Sequence, residues 1–577
     1  MIGAPARWVL PRDVEREAKA LSAAVGIALP AARVLAARGY GDPDKAREFL
    51  TPHTSQLHDP TLLLDLPQAA ARLQSAIRAG EKILLYGDYD VDGTLAVVIL
   101  TKAIEVCGGK SEYHVPHRLL EGYGMRPEVV EKAASEGVKL IVSVDTGIRA
   151  GAVVEHANAL GIDCIVTDHH LPEATQSPVP EAALPPALAV INPNRPDCEY
   201  PNKNLCGAAV AYKLAVGLMR LQTWDAAKLD RMSDSFLKLA AIATVSDVMP
   251  LVGENRAIVT LGLAGFDRVR NPGLRALLAV AGIEEGTAPT VRQVGFQIGP
   301  RINAAGRLES ARQVVEMFLT GDEKRAAEIA KDLDALNFER RSTEKRILEE
   351  CLAAVDESRA GLVLAGEGWH RGVVGIVASR VVERFHRPVL VLERNLEQGV
   401  AQGSGRSIEA FHLLDALESM RDLFQKFGGH SHAAGVTLDL AKLDEFVRRF
   451  DDYAKTKLTE EDFRPQLRID AEASAAEWDE SSVADVMRLA PFGNGNPMPV
   501  FLLRAAKIGS ATPMGESGKH FKIRFEQNGA KLFAKAWNFD ERAGEIMPGV
   551  TVDAAVTVED DSYWGWSASV KDVRAIG

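Results

Sequence analysis

The sequence predicts an α/β protein in three parts. These are a parallel sheet covered by helices, a smaller α/β domain reached through a long helix, and a C-terminal β-barrel of oligonucleotide-binding (OB) type. Three observations carry that prediction. Short apolar runs alternate with helical stretches from about Asp65. A charged, proline-free stretch from Arg312 to about Val355 precedes a second alternating run. After about Arg464 the chain changes to short strands broken by Gly and Pro.

Residues 1–64 mix short helical patterns with Pro and Gly breaks and are expected as a helical lead-in. Residues 65–310 form the first α/β domain, with strands at Lys82–Tyr86, Leu140–Val144, Asp163–Val166 and Leu188–Ile191. Its helices fall at Leu95–Val106, closed by Gly108 and Gly109, and from about Arg149 to Leu160. Apolar runs this short and continuous, separated by helices, indicate a parallel sheet buried on both faces. Residues 311–358 are expected as one or two exposed connecting helices, interrupted only at Gly321. Residues 359–458 repeat the α/β pattern, with strands Leu362–Leu364 and Val389–Leu392 around a helix from about Val374 to Phe385. Residues 464–577 supply the barrel, with strands at Phe521–Phe525, Lys531–Trp537, Val550–Val558 and Trp564–Val570.

Composition narrows the class. At 577 residues the chain is too long for one core. Hydrophobic residues at 46% and charged residues at 25% exclude a disordered or fibrous protein. The net charge of −12 excludes a surface coated in positive charge, but not a local basic groove for nucleic acid. Cys107, Cys164, Cys198, Cys206 and Cys351 form no CxxC pair and no metal-binding spacing, so reduced, mostly buried thiols are expected. Met1 to Lys19 lacks the apolar core of a secretory signal, and the apolar stretch from Cys206 to Met219 is interrupted by Lys213 and too short to span a bilayer. A cytoplasmic protein without a membrane partner is the expectation.

The chemistry concentrates in Tyr86-Gly-Asp-Tyr-Asp-Val-Asp-Gly-Thr94, which spaces Asp88, Asp90 and Asp92 two apart between a strand and a helix. Its opening matches a calcium-binding EF-hand loop, but the twelfth residue from Asp88 is Ile99 where that loop needs Glu. A strand also precedes it where the EF-hand has a helix. Three carboxylates crowded at a buried strand end repel one another unless a cation neutralises them. Asp145 ends a second strand, and Asp168, with His169 and His170 behind it, ends a third. Open parallel sheets gather ligands at the C-terminal ends of their strands. Asp247, closing an apolar helix, is a further candidate. Carboxylates and imidazole without thiolate favour Mn2+ or Mg2+ over structural zinc. Two such ions about 3.5–4 Å apart suit phosphoryl transfer, which needs no nucleophilic Ser or Cys.

Asp168-His169-His170, with Asp90-x-Asp92, Asp145 and Asp247, resembles the four-motif signature of the DHH phosphoesterase superfamily. Longer strings are similar to those of its single-stranded-DNA-specific exonucleases, over roughly Leu66 to Phe501. They are Gly87-Asp-Tyr-Asp-Val-Asp-Gly-Thr94, Ser143-Val-Asp-Thr-Gly-Ile148, Thr167-Asp-His-His-Leu-Pro172, Gly299-Pro-Arg-Ile-Asn-Ala-Ala-Gly-Arg307 and Gly428-Gly-His-Ser-His-Ala-Ala-Gly435. The resemblance implies a DHH catalytic domain and a smaller DHH-associated domain. It implies Asp90, Asp92, Asp145, His169 and Asp247 as metal ligands, and Asp88 and His170 as a further ligand or a contact to the scissile phosphate. Asp168 would orient the histidines from behind.

The remaining motifs suit an anionic polymer. Arg301, Asn303 and Arg307 are expected in a Gly/Ala-rich turn, Ser404 and Arg406 in a donor-rich loop, and His430 after two glycines that permit close backbone approach. Arg118 precedes Tyr123, an aromatic ring on which a base could stack. The implied activity is metal-dependent 5′→3′ hydrolysis of single-stranded DNA in repair and recombination, with a single-stranded-DNA-binding protein and a helicase as partners. One rival is a DHH phosphodiesterase of oligoribonucleotides or cyclic dinucleotides, which typically lacks the barrel. Another is a DNA-binding scaffold that has lost its metals, although every ligand position here keeps a carboxylate or imidazole.

Overall fold

The computed structural model describes residues 6–118, 120–174, 182–516, 518–561 and 565–576. The chain folds as two compact units that do not follow chain order. Residues 52–342 group with 491–496, and residues 6–51 group with 343–490 and 497–576.

The first unit is built on a five-stranded parallel sheet of β1 (Lys82–Tyr86), β2 (Ser111–His114), β3 (Val138–Val144), β4 (Asp163–Thr167) and β5 (Ala189–Ile191). β1, β3 and β4 are buried along nearly their whole length, as their continuous apolar runs require. The edge strand β2 was not expected. Ser-Glu-Tyr-His has no apolar run, and it becomes a strand by pairing with β1. The spatial order is β2-β1-β3-β4-β5, so the winding reverses between β1 and β3. That reversal is where an open sheet forms its ligand crevice.

Helices α1 (Val91–Val106) and α2 (Gly207–Arg220) pack on the sheet, and α3 (Ala226–Ser246), α4 (Gly253–Ala264) and α5 (Gly299–Leu308) build outward from them. α1 and α2 are buried on nearly every face, as helices apolar all round must be. α1 begins four residues before the expected Leu95, because Asp90 caps it. The charged connector comprises a helix at Arg312–Leu319 and the long α6 (Glu323–Ala354).

One buried ion pair ties α2 to α4. Lys213 Nζ lies 2.6 Å from Glu254 Oε1 and donates to the His58 carbonyl at 2.7 Å. Glu254 also accepts from the Tyr200 hydroxyl at 2.8 Å and the His58 N–H at 2.9 Å. Removing one partner strands the other charge in the core. Glu254→Ala is therefore expected to destabilise this unit by about 3–5 kcal/mol, read as a lowered urea midpoint. An unchanged midpoint would refute the pairing.

The second unit holds two large sheets. The first comprises β6 (Leu362–Glu367), β7 (Val389–Asn395), β8 (Val400–Arg406), β9 (Phe424–Gly429) and β10 (Ala433–Asp439), in the order β9-β10-β8-β7-β6, with α7 (Arg371–Phe385) packed on β7 and β8. Only β6 and β7 run parallel. The second sheet is the barrel: β11 (Ala471–Glu472), β12 (Phe501–Met514), β13 (His520–Gln527), β14 (Ala530–Ala536), β15 (Thr551–Asp561) and β16 (Gly565–Ala575). Its order is β11-β12-β13-β14-β16-β15, and β12 pairs with β15 as well, which closes it. Ile523 and Phe525, two apart on β13, point inward, the alternation expected of such a strand. Trp564 of the last expected strand lies outside the described residues.

The lead-in packs on the barrel region. Arg7–Val9 pairs in parallel with Gln466–Arg468, and Arg33 and Arg38 reach Glu477 at 2.6 Å and Asp470 at 2.8 Å. All five cysteines are free. Among the described residues no single helix is long and apolar enough to cross a membrane.

Candidate metal centre

The acidic cluster sits where the sheet topology opens its crevice. β1 ends at Tyr86, and the chain turns through Gly87, Asp88 and Tyr89 into α1. Asp90 caps α1 by accepting from the Gly93 N–H at 3.0 Å, and Asp92 lies inside the first turn. Both oxygens of Asp92 accept from the start of α2, from Gly207 N–H at 2.6 Å and Ala208 N–H at 2.7 Å. Two helix N-termini thus favour negative charge here.

Across the switch point, Asp145 follows β3 in the left-handed region at φ 59°, its N–H bonded to the Thr167 carbonyl at 2.9 Å. A non-glycine residue held there marks strain at a functional position. Asp168 follows β4 and is fully buried. It accepts from the N–H groups of Ile148, His169 and His170 at 2.9, 2.7 and 3.1 Å, and from His170 Nδ1 at 2.7 Å. His169 Nε2 then points to Asp145 Oδ1 at 3.2 Å and to Asp92 Oδ2 and Asp247 Oδ2 at 3.7 Å each. Asp247 caps the C-terminus of α3.

Three triads bring donor atoms within 4.8 Å of one another: Asp88, Asp90 and Asp145; Asp92, His169 and Asp247; and Asp145, His169 and His170. Asp88 Oδ1, Asp145 Oδ1 and Asp247 Oδ2 are buried without a hydrogen-bond partner among the described residues. Orphaned carboxylate oxygens are costly unless something else binds them. Burial first, and the neighbouring carboxylates second, hold Asp88 and Asp145 well above the usual carboxylate range and raise Asp90. Asp247 is pushed up to about 9 by burial and by the charges of Asp92 and Asp90. Burial lowers His169, which keeps its imidazole neutral and able to ligate. Burial alone would raise Asp168, but the His170 bond and charge and the backbone N–H bonds outweigh it and leave it lowered. A cluster that resists its own ionisation, with oxygens and one neutral nitrogen converging, fits divalent cations of the Mn2+ or Mg2+ kind.

The expected anion-binding residues divide. In the first unit, Tyr123 OH approaches His170 Nδ1 at 3.2 Å and the Asp145 carbonyl at 3.4 Å, and the Arg118 guanidinium lies 4.9 Å from the Tyr89 ring centre. Both border the cluster. Arg301, Asn303 and Arg307 lie on helix α5 and not in a turn. Ile302, Ala304, Ala305 and Gly306 are buried, and that packing outweighs the glycine's reluctance to be helical. Arg301 pairs with Asp334 at 2.8 Å and donates to the Gln297 carbonyl at 2.7 Å. Asn303 Oδ1 accepts from the Val91 N–H at 3.2 Å and so steadies the start of α1.

Ser404 and Arg406 belong to the second unit, on strand β8 rather than a loop. β7 and β10 pair with it on both sides, which turns a glycine-rich segment into a central strand. A side chain at Gly375 of α7 would begin 3.3 Å from Arg406 Nη2 and 3.4 Å from Ser404 Oγ, so both line the first turns of α7. His430 is exposed and opens the turn between β9 and β10, its N–H bonded to the Ala433 carbonyl at 2.8 Å. Gly207 and Ala208, which hold Asp92, carry no sequence signal beyond a helix start.

This arrangement of carboxylates and imidazoles at the switch point defines a metal-dependent phosphoesterase of the DHH class. The DHH family N-terminal domain matches residues 82–244, the DHHA1 domain residues 358–456, and the RecJ OB domain residues 469–568. The single-stranded-DNA-specific exonuclease RecJ of Bacillus subtilis is 36% identical over 552 residues, 95% of this chain and 68% of its own length. The crystal structure of RecJ from Thermus thermophilus in complex with Mn2+ superposes with a TM-score of 0.82 at 30% identity, covering 99% of this chain and 80% of that one. The same protein in complex with Mg2+ gives a TM-score of 0.76 at 28% identity, covering 99% and 79%. The chain belongs to the RecJ family of single-stranded-DNA-specific exonucleases.

Proposed function

We propose that this chain is a metal-dependent exonuclease that degrades single-stranded DNA from its 5′ end in DNA repair and recombination. The observation that carries the reading is the convergence of three orphaned carboxylate oxygens, from Asp88, Asp145 and Asp247, on the sheet's switch point. Asp88, Asp90, Asp92, Asp145, His169 and Asp247 hold two divalent ions. When bound, such ions supply Lewis acidity and charge neutralisation for phosphodiester hydrolysis.

The chain's own residues do the rest. Asp168 accepts from the N–H groups of both histidines and from the His170 ring, so the pair is held in one arrangement. Burial lowers His170, but the Asp168 bond and charge outweigh it and leave the ring raised, which favours a proton on the imidazole beside a scissile phosphate. Arg118 contributes further positive charge, and Tyr123 a face for the adjacent base. Ser404, Arg406 and His430 contact the nucleic acid from the DHH-associated domain, Arg301 and Arg307 add positive charge for its phosphates, and Asn303 also steadies the start of α1.

The barrel carries a strand-binding surface of its own. Phe533 and Trp537 are 52% and 50% exposed, and Lys522 Nζ lies 5.5 Å from the Phe533 ring centre. A cavity of about 600 Å³ beside Phe533 is lined by that ring with Lys522, Lys531, Lys535 and Trp566. Aromatic faces among lysines bind a strand without regard to sequence. A single-stranded-DNA-binding protein and a helicase would supply the substrate, and the cytoplasm is the expected compartment.

The test is digestion of a labelled single strand. Activity should vanish in chelator and return with Mn2+, and a strand blocked at its 5′ end should resist attack. Full activity in chelator would sink the metal reading, and equal degradation of circular and linear strands would show an endonuclease.

A further inference from the structure

α3 delivers Asp247 from its last position, so the way that helix ends decides where the carboxylate points. The end is a left-handed cap. Val248 N–H donates to the Val245 carbonyl at 3.2 Å, and Met249 N–H to the Thr244 carbonyl at 3.1 Å. This is a pattern that glycine normally closes. Here Val248 occupies the left-handed position, at φ 57°, with 63% of its surface exposed. A β-branched residue is a poor fit to that conformation, and exposure means that no core packing holds it there.

What holds it comes from a distant part of the sequence. Residues 491–496 group with the catalytic unit. They form a tight turn, with Gly493 N–H donating to the Asn496 carbonyl at 2.9 Å and the Asn496 amide to the Pro491 carbonyl at 2.9 Å. Asn494 at its tip brackets the exit of α3. Its Nδ2 donates to the Val248 carbonyl at 2.7 Å, and its own carbonyl accepts from the Leu251 N–H at 2.7 Å. Gly495 and Gly493 let the turn approach Pro250 and Leu251, which would otherwise meet a side chain at 3.0 and 2.7 Å.

We propose that Asn494 is a positioning residue for Asp247: it clamps the strained Val248 and thereby fixes the carboxylate that closes the metal centre. The proposal rests on the reading of Asp247 as a ligand. Asn494 is exposed, so Asn494→Ala leaves no cavity, and the backbone bond to Leu251 survives the change.

The experiment is calorimetric titration of the full chain with Mn2+ alone, alongside thermal melting. Asn494→Ala should weaken Mn2+ binding about tenfold, the lower end of what a residue behind a ligand contributes. Its nuclease activity should recover at high Mn2+. Val248→Gly, which needs no clamp in that conformation, should bind Mn2+ like the parent. The double variant should regain most of the affinity lost by Asn494→Ala. Unchanged Mn2+ binding in Asn494→Ala, or an equal loss in both Val248 backgrounds, overturns the proposal. A lowered melting temperature with no rescue by Val248→Gly overturns it too, since it assigns Asn494 a merely structural role. Asp247→Asn separates the two claims. If it binds Mn2+ like the parent, ligand reading and clamp fall together; if it binds weakly while Asn494→Ala does not, only the clamp falls.

Discussion

Replacing Asp145 by asparagine is expected to lower turnover on single-stranded DNA on the order of 10³-fold, while strand binding stays measurable. Asp145 faces both halves of the cluster. It shares one donor triad with Asp88 and Asp90 and another with His169 and His170. Its Oδ1 is buried without a hydrogen-bond partner among the described residues, 3.2 Å from His169 Nε2. Asparagine keeps the shape and tolerates the left-handed backbone at this position, so the variant isolates the lost charge. Alanine removes the oxygens and also fits φ 59° less readily, so Asp145→Ala should lose cleavage equally and melt at a lower temperature. Strand-binding titration and single-turnover cleavage on the same preparations check both. A variant that still degrades DNA at the parental rate would remove Asp145 from the centre.

How much of this was legible before folding depends on whether a signal is local. Lys82–Tyr86 announces a buried strand because four consecutive residues, Ile83 to Tyr86, have nowhere else to place their apolar surface. Asp88, Asp90 and Asp92 announce a cation because their mutual repulsion is written into their spacing. The parallel sheet, the long connector and the barrel follow from patterns of the same local kind. Ser111–His114 gives no such signal, since an edge strand is made by its partner. Arg301 to Arg307 looks like a turn by composition and is a helix because its small residues pack against the core. Ser404-Gly-Arg406 looks like a loop and is a strand because two neighbours pair with it. Asn494 lies 246 residues from the carbonyl it holds, and no periodicity connects them. The candidate ligands were local; what positions them was not.

The sharpest case is Gly207, where a single methyl group is expected to disarm the centre. A Cβ there would sit 2.6 Å from Asp145 Cβ, 2.7 Å from its Oδ1 and 2.9 Å from its Cα. Neither side can yield. Asp145 already sits in a sparsely populated backbone region at the end of a buried strand. Gly207 cannot retreat, because its N–H and that of Ala208 hold both oxygens of Asp92 at 2.6 and 2.7 Å. Gly207→Ala must therefore displace Asp145, or Asp92, or both. A displacement approaching 1 Å in a catalytic group costs on the order of 10²-fold in rate. The overpacking should also cost about 1–3 kcal/mol of stability. Mn2+ titration should show weakened binding in a protein whose circular dichroism remains that of the parent. Gly151→Ala is the matched control, at a helix start where a new Cβ meets nothing within 4 Å. It should leave activity and Mn2+ binding unchanged and stabilise by about 0.4–1 kcal/mol, because alanine restricts the unfolded chain without strain. Parental activity in Gly207→Ala would mean that the Asp145 end of β3 is far softer than its hydrogen bonding and burial imply.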